Sequence, residues 1–317
     1  MTRVAAIDCG TNSIRLLVAD ADPSTGEFVE LDRRMEIVRL GQGVDRTGRL
    51  APEALERTFD ACRRYAALIE EHGARRIRFV ATSASRDAEN RDDFVRGVRD
   101  ILGVEPEVIS GDQEAEFSFT GATRELAGRD HFAKPYLVVD IGGGSTEFVL
   151  GDDHVRAARS VDMGCVRMTE RHLVHDGVVS DPPTPGQIAA VRADVDAALD
   201  LAEQTVPLTG AATLVGLAGT VTTVAAIALG LDAYDSAAIH HSRISLEQVE
   251  EITARLAAST HAERAAIGPM HPGRVDVITS GAQILLAVMR RAGAREVVVS
   301  EHDILDGIAW YAADADA

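Results

Sequence analysis

The chain has 317 residues, 46% of them hydrophobic, and a formal net charge of -18. That length allows two domains with separate cores, and a mean hydropathy near zero describes a globular chain rather than a disordered one. The acidic balance excludes general nucleic-acid binding, which needs a basic face, and no apolar stretch is long enough to span a bilayer. MTRVAAIDCG at the start is a short apolar strand without the long apolar core of a signal peptide, so a cytoplasmic location is expected. Cys9, Cys62 and Cys165 stand at unrelated spacings that offer neither a disulfide framework nor a C-x-x-C knuckle. Cys9 reads as a small buried filler.

In chain order, RVAAID (3–8) reads as a buried strand, IRLLVAD as a second and FVELDRRMEIVRLG as a third. GQGVDRTGRL (41–50) is a turn, Pro52 opens a helix that ends at Gly73, RIRFVAT is a strand, and the segment near 86–102 is a helix. PEVIS is a strand, and Ser110 caps a helix running from Gly111 towards Leu126. The pattern then restarts with the strand and loop YLVVDIGGG and the strands STEFVLG and HVRAARSVDMG. SDPPTPG (180–186) is a surface connection ahead of a helix from Gln187 to Thr205. AATLVGLAGT is a buried strand entering a Gly turn, and TVAAIALG is a helix. Helices near 246–257 and 274–292, the strand REVVVS and the helix ILDGIAWYAADA complete the chain. Each half opens with hairpin-like strands and then alternates helix with strand. The expectation is two α/β domains, 1–125 and 126–302, with the helix 303–317 returning to the first. The boundary is expected within 115–135, where AGRDHFAKP reads as a loop.

Two segments align without a gap: DCGTNSIRLLVAD from Asp8 and DIGGGSTEFVLGD from Asp140. Each gives Asp-x-Gly, a turn of small residues, a Ser and an apolar run. Glycines let backbone N–H groups approach an anion, so both loops suit phosphate. The first supplies Gly10, Thr11, Asn12 and Ser13; the second supplies Gly142, Gly143, Gly144, Ser145 and Thr146. GLAGTVTT places Gly219 and Thr220 just ahead of a helix, where amides and dipole together favour anions. Asp8 and Asp140 end buried strands, and carboxylates beside phosphate sites serve a divalent cation. Glu147 holds the offset in the second copy that Arg15 holds in the first. Arg86, in ATSASRDAEN, suits bidentate phosphate contact. Glu114 lies in the first turns of a helix that enters the domain boundary. Among the ten histidines, His240 and His241 are adjacent and would point oppositely in a strand, and no His-x-x-x-His pair stands on a helix, so no histidine metal site is expected.

Together DCGTNSIRLLV, ATSASRDAEN, ISGDQEAEFSFTG, VVDIGGGSTEFV, DMGCVRMTE, GLAGTVTTVAA and HPGRVDVITSGAQIL resemble the exopolyphosphatase/guanosine pentaphosphate phosphohydrolase (Ppx/GppA) family, in order and over essentially the whole chain. The resemblance implies two ribonuclease H-like domains of the actin-like ATPase superfamily flanking an interdomain cleft. It implies removal of the terminal phosphate of inorganic polyphosphate, or hydrolysis of pppGpp to ppGpp, with Mg2+ and possible use of K+, in a homodimer that engages neither nucleic acid nor membrane. It places the catalytic base on Glu114, metal roles on Asp8, Asp140 and Glu147, and a phosphate contact on Arg86, with Asn90 also matching. Longer members carry a further C-terminal helical region, so short chains or pppGpp are the expected substrates. A sugar or acetate kinase of the same superfamily and a pppGpp- or ATP-binding sensor or filament protein are the rival readings.

Overall fold

The computed structural model describes residues 1–126, 132–175 and 177–314. The chain forms two compact units, Met1–Gly121 with the segment from Asp303 onward, and Ala122–His302. The loop expected over AGRDHFAKP lies partly outside the described residues.

In the first unit, β1 (Thr2–Cys9), β2 (Ser13–Asp22) and β3 (Glu27–Ile37) form an antiparallel meander, and β4 (Arg76–Ala81) and β5 (Glu107–Val108) run parallel to β1. The sheet order is β3-β2-β1-β4-β5. Both faces of β1 are covered, which is why RVAAIDC reads as a continuous apolar run rather than an alternating one. Ala5, Ile7 and Cys9 join Tyr65, Phe79 and Phe94 on one face. Val4 and Ala6 join Phe117, Ile308 and Trp310 on the other. The helices are α1 (Val44–Thr47), α2 (Pro52–His72), α3 (Ser83–Asp87), α4 (Arg91–Leu102) and α5 (Gly111–Thr123).

The second unit repeats this plan. β6 (Tyr136–Ile141), β7 (Thr146–Gly151) and β8 (Val155–Val161) form the meander; β11 (Thr213–Leu217) and β13 (Glu296–Val299) run parallel to β6, and β12 (Arg243–Ser245) closes the edge antiparallel. The order is β12-β13-β11-β6-β7-β8, and β9 (Val174–His175) pairs separately with β10 (Val178–Val179). Its helices are α6 (Cys165–His172), α7 (Pro185–Glu203), α8 (Ala218–Ala228), α9 (Ser236–Ile239), α10 (Leu246–Ala258), α11 (His261–Ala265) and α12 (Ile278–Ala292). The last helix, α13 (Ile304–Ala313), packs on the first sheet. A three-stranded meander followed by parallel strands, twice over, is the ribonuclease H-like arrangement.

Several boundaries differ from the sequence reading for physical reasons. The helix expected over 86–102 is broken: α3 stops at Asp87, Ala88 is extended, and α4 starts at Arg91. Asn90 causes the break by straddling Leu50, accepting from its N–H at 2.8 Å and donating to its carbonyl at 3.1 Å. The connection SDPPTPG ends inside α7, because Thr184 caps that helix in a capping box with Gln187 and Pro185 takes its first turn.

The first unit contains a buried ionic network. Arg15 pairs with Asp8 at 2.6 Å and also with Asp303. Arg33 pairs with Asp306, which closes a capping box with Asp303 at the start of α13. Burial opposes ionisation of Asp303, yet the Arg15 and Arg33 guanidiniums outweigh it and hold the carboxyl below its usual 3.8. A depressed folded-state value means the stabilisation is present above 3.8 and is lost as pH falls through the folded value. Asp8 runs the other way, since burial holds it above 3.8 despite Arg15. Asp303→Asn is expected to lose about 3 kcal/mol at neutral pH, the scale for breaking a buried pair. Denaturant titrations of variant and parent should converge as the pH falls below 3.8 and through the depressed folded-state value of Asp303.

Candidate active site

The duplicated loops are closed by the same hydrogen bond. Gly10 N donates to Ser13 O at 2.9 Å, and Gly142 N donates to Ser145 O at 3.1 Å. In each copy the strand-ending Asp faces the residue seven positions on across the hairpin: Asp8 opposite Arg15, Asp140 opposite Glu147. One substitution at a shared offset therefore gives the copies opposite electrostatics.

In the first loop Asp8 is 4% exposed and its Oδ2 accepts from Arg15 Nε and Nη2 at 3.0 and 2.6 Å. Its Oδ1 is buried with no hydrogen-bond partner among the described residues. Thr11 shares a hydroxyl hydrogen bond of 2.9 Å with Ser83 at the start of α3. The Asn12 carbonyl accepts from Val38 and Arg39, tying the loop to the end of β3. Burial pushes the Cys9 thiol well above its usual range, so it is an inert core group.

Glu114 is 7% exposed in the first turns of α5. Ser110 sets this helix start, since its hydroxyl accepts from Gln113 N at 3.2 Å and the Gln113 side chain reaches back to Ser110 N at 3.1 Å. Arg86 Nη1 donates to Glu114 Oε2 at 3.2 Å and to the Ile109 carbonyl at 3.0 Å. Its Nε and Nη2 form no hydrogen bond with the protein among the described residues, so the guanidinium holds the carboxylate and still has N–H groups for an anion.

In the second loop Asp140 is 7% and Glu147 1% exposed. Residues directly opposite on antiparallel strands have Cβ atoms about 4.5–5.5 Å apart, so two buried carboxylates are neighbours here. Ser160 on β8, which the sequence reading missed, donates to Glu147 Oε1 at 2.7 Å. No local pattern marks Ser160; it arrives through the β7–β8 register. The loop is fastened to the start of α6: Gly142 O accepts from Cys165 N, Gly143 O from Val166 and Arg167 N, and Gly144 O from Arg167 Nε at 2.7 Å. The amides of Gly143, Gly144 and Ser145 donate to no protein group among the described residues, and the Ser145 hydroxyl is buried without a partner. Gly164 permits this fastening, for a Cβ there would stand 2.2 Å from Gly143 O. Thr146, among the expected phosphate contacts, is held on the protein side. It is fully buried and donates its hydroxyl to the Met163 carbonyl, so it braces the loop.

At the third Gly segment α8 starts at Ala218, earlier than expected, with Ala218 at φ 65°. The Gly219 carbonyl accepts from Thr223 Oγ1 at 2.7 Å, and Arg274 donates to that same Oγ1 at 2.9 Å. Thr220 is 5% exposed. Arg274 thus stands over the start of α8, a cation that periodicity alone does not reveal.

The sequence pattern of the Ppx/GppA phosphatase family matches residues 17–311. Exopolyphosphatase 2 of Mycobacterium tuberculosis is 52% identical over 320 residues, covering 98% of each chain. The guanosine-5'-triphosphate,3'-diphosphate pyrophosphatase of Aeromonas hydrophila is 30% identical, a match taking in 96% of this chain and 58% of that one. A solved exopolyphosphatase-like protein superimposes with a TM-score of 0.90 at 45% identity over 97% of both chains. Duplicated loops, sheet order and sequence agree, and the chain belongs to the Ppx/GppA phosphatase family.

Proposed function

We propose that this protein hydrolyses the terminal phosphoric anhydride bond of inorganic polyphosphate, releasing phosphate. The observation that carries the reading is the second loop: amides of Gly143, Gly144 and Ser145 that donate to no protein group among the described residues, following a strand whose Asp140 faces the buried Glu147. Amides receive phosphate oxygens, and an all-oxygen pair of acids is a donor set for Mg2+. The name of the 52% identical relative supports the same chemistry.

Asp140 and Glu147, facing each other across the β6–β7 hairpin, fit Mg2+. When bound, Mg2+ neutralises phosphate charge and polarises the bond to be broken. In the first unit, Glu114 orients a water and takes its proton as the oxygen attacks phosphorus. Arg86 fixes the Glu114 carboxylate and offers its remaining N–H groups to the phosphate. In the second unit the loop amides hold the terminal phosphoryl oxygens as charge shifts onto them, so positioning and electrostatics supply most of the rate. K+ as an accessory cation and a homodimer, as the resemblance implies, and a cytoplasmic location, as the N-terminal sequence suggests, complete this reading.

The second reading, hydrolysis of pppGpp by the same residues, is favoured by the Aeromonas relative. Competition decides between them: with both substrates present, kcat/KM for short-chain polyphosphate is expected to exceed that for pppGpp. The reverse order would move the protein to alarmone hydrolysis. Asp140→Asn and Glu147→Gln are each expected to raise the Mg2+ concentration for half-maximal rate on the order of tenfold or more. An unchanged Mg2+ titration in both variants would remove these residues from the metal site.

A further inference from the structure

Three side chains far apart in sequence meet at the surface of the second unit, well separated in sequence from its phosphate loop. His240 Nε2 lies 3.1 Å from Glu125 Oε2, and His302 Nδ1 lies 3.7 Å from Glu125 Oε1. The three ligand atoms all fall within 4.8 Å of one another. Atoms about 2.0–2.2 Å from a tetrahedral Zn2+ are separated by roughly 3.3 Å, and the two imidazole–carboxylate contacts, at 3.1 and 3.7 Å, lie around that spacing.

The sequence argument against a histidine site assumed that His240 and His241 lie in a strand. Instead α9 ends at Ile239, and His241 has φ 61°, so the chain turns there. The turn stacks the two imidazoles with centroids 3.6 Å apart and brings His240 to 4.8 Å from the His302 ring. His240 and His302 are half-buried, with side-chain exposures of 19% and 26%, while Glu125 is 43% exposed, which leaves an approach from solvent.

We propose that Glu125, His240 and His302 form a binding site for a borderline divalent transition metal, Zn2+ by ligand type, with a fourth position open to water or an anion. Neither Mg2+ nor Ca2+ suits two imidazoles, so this site is chemically distinct from the all-oxygen set on Asp140 and Glu147. His240 Nδ1 accepts from Glu301 N at 3.1 Å, which leaves the ring proton on Nε2. A metal at Nε2 requires that proton to move to Nδ1, so the ring exchanges its Glu301 contact for the metal. Glu125 lies just after the point where the chain enters the second unit, and His302 is the last residue before it leaves. The metal would cross-link that unit's entry and exit segments.

The test uses the full chain, stripped with chelator and returned to excess Mg2+, with Zn2+ and Co2+ as probes. Competition against a chromophoric chelator is expected to show one Zn2+ per chain, and Co2+ is expected to give the strong visible absorption of a four-coordinate site. Glu125→Gln and His302→Ala should each weaken Zn2+ binding by about 100-fold or more, beyond the loss that follows removal of an outer partner alone. His302→Ala guards against misreading a folding defect in His240→Ala, and circular dichroism confirms that each variant is folded. Hydrogen exchange at 122–126 and 300–302 should slow on Zn2+ addition in the parent and not in the variants. No stoichiometric uptake by the parent, or equal uptake by folded Glu125→Gln and His302→Ala, overturns the proposal.

Discussion

Glu114→Gln is expected to lower kcat by about 10²–10⁴-fold, the range for removing a general base, while substrate affinity changes little. The amide keeps the shape and can still accept a hydrogen bond from Arg86, so the 3.2 Å link and the helix start at Ser110 have no reason to move. What is lost is the capacity to take a proton. Single-turnover rates with equilibrium binding of a polyphosphate separate the two effects. Equal losses of binding and rate would make Glu114 a substrate ligand instead, and a variant with most of its activity would remove it from the mechanism. Arg86→Lys offers a graded comparison: lysine keeps the charge but not the two-sided grip on Glu114 and the Ile109 carbonyl, so kcat should fall further than KM rises.

A combined loss of stability and activity is expected at a residue with no side chain. Helices α5 and α13 cross through a reciprocal pair of glycines. A Cβ at Gly307 would stand 2.1 Å from the Phe117 carbonyl oxygen, and one at Gly121 would stand 1.8 Å from that of Asp303. Both obstacles are backbone, so the helices must separate to admit even a methyl group. Gly307→Ala should gain a little helix propensity, below about 1 kcal/mol, and lose more to overpacking, about 1–3 kcal/mol or above. Separation also disturbs the packing of Phe117 against Tyr311, whose rings are 4.9 Å apart, and shifts the helix that carries Glu114. The midpoint of denaturant unfolding should fall and kcat with it. A variant as stable as the parent would show that the crossing is looser than described.

The repeated loops were legible because everything they need is local: an Asp ending an apolar strand, a glycine two residues on, a Ser that closes the turn. The contrast of Arg15 with Glu147 was visible at one offset, although the outcome, a neutralised acid in one copy and paired acids in the other, needed the hairpin register. The cap at Ser110 and the helix start at Pro52 were readable for the same local reason. What escaped is what depends on distant partners. The break after Asp87 follows from Asn90 holding Leu50, forty residues away. The hydrogen bond from the Thr146 hydroxyl to the Met163 carbonyl depends on a residue seventeen positions on. Ser160, Arg274 and the meeting of Glu125 with His240 and His302 carry no short motif; strand register and chain turns bring them into place.

The central claim, attack of a Glu114-activated water on the terminal phosphorus of polyphosphate, is tested most directly by hydrolysis in 18O-labelled water with Mg2+. The account predicts phosphate release from polyphosphate, one label in each released phosphate, none in the shortened chain, and loss of release in Glu114→Gln. Label in the residual chain, or no release at all from polyphosphate, would contradict it.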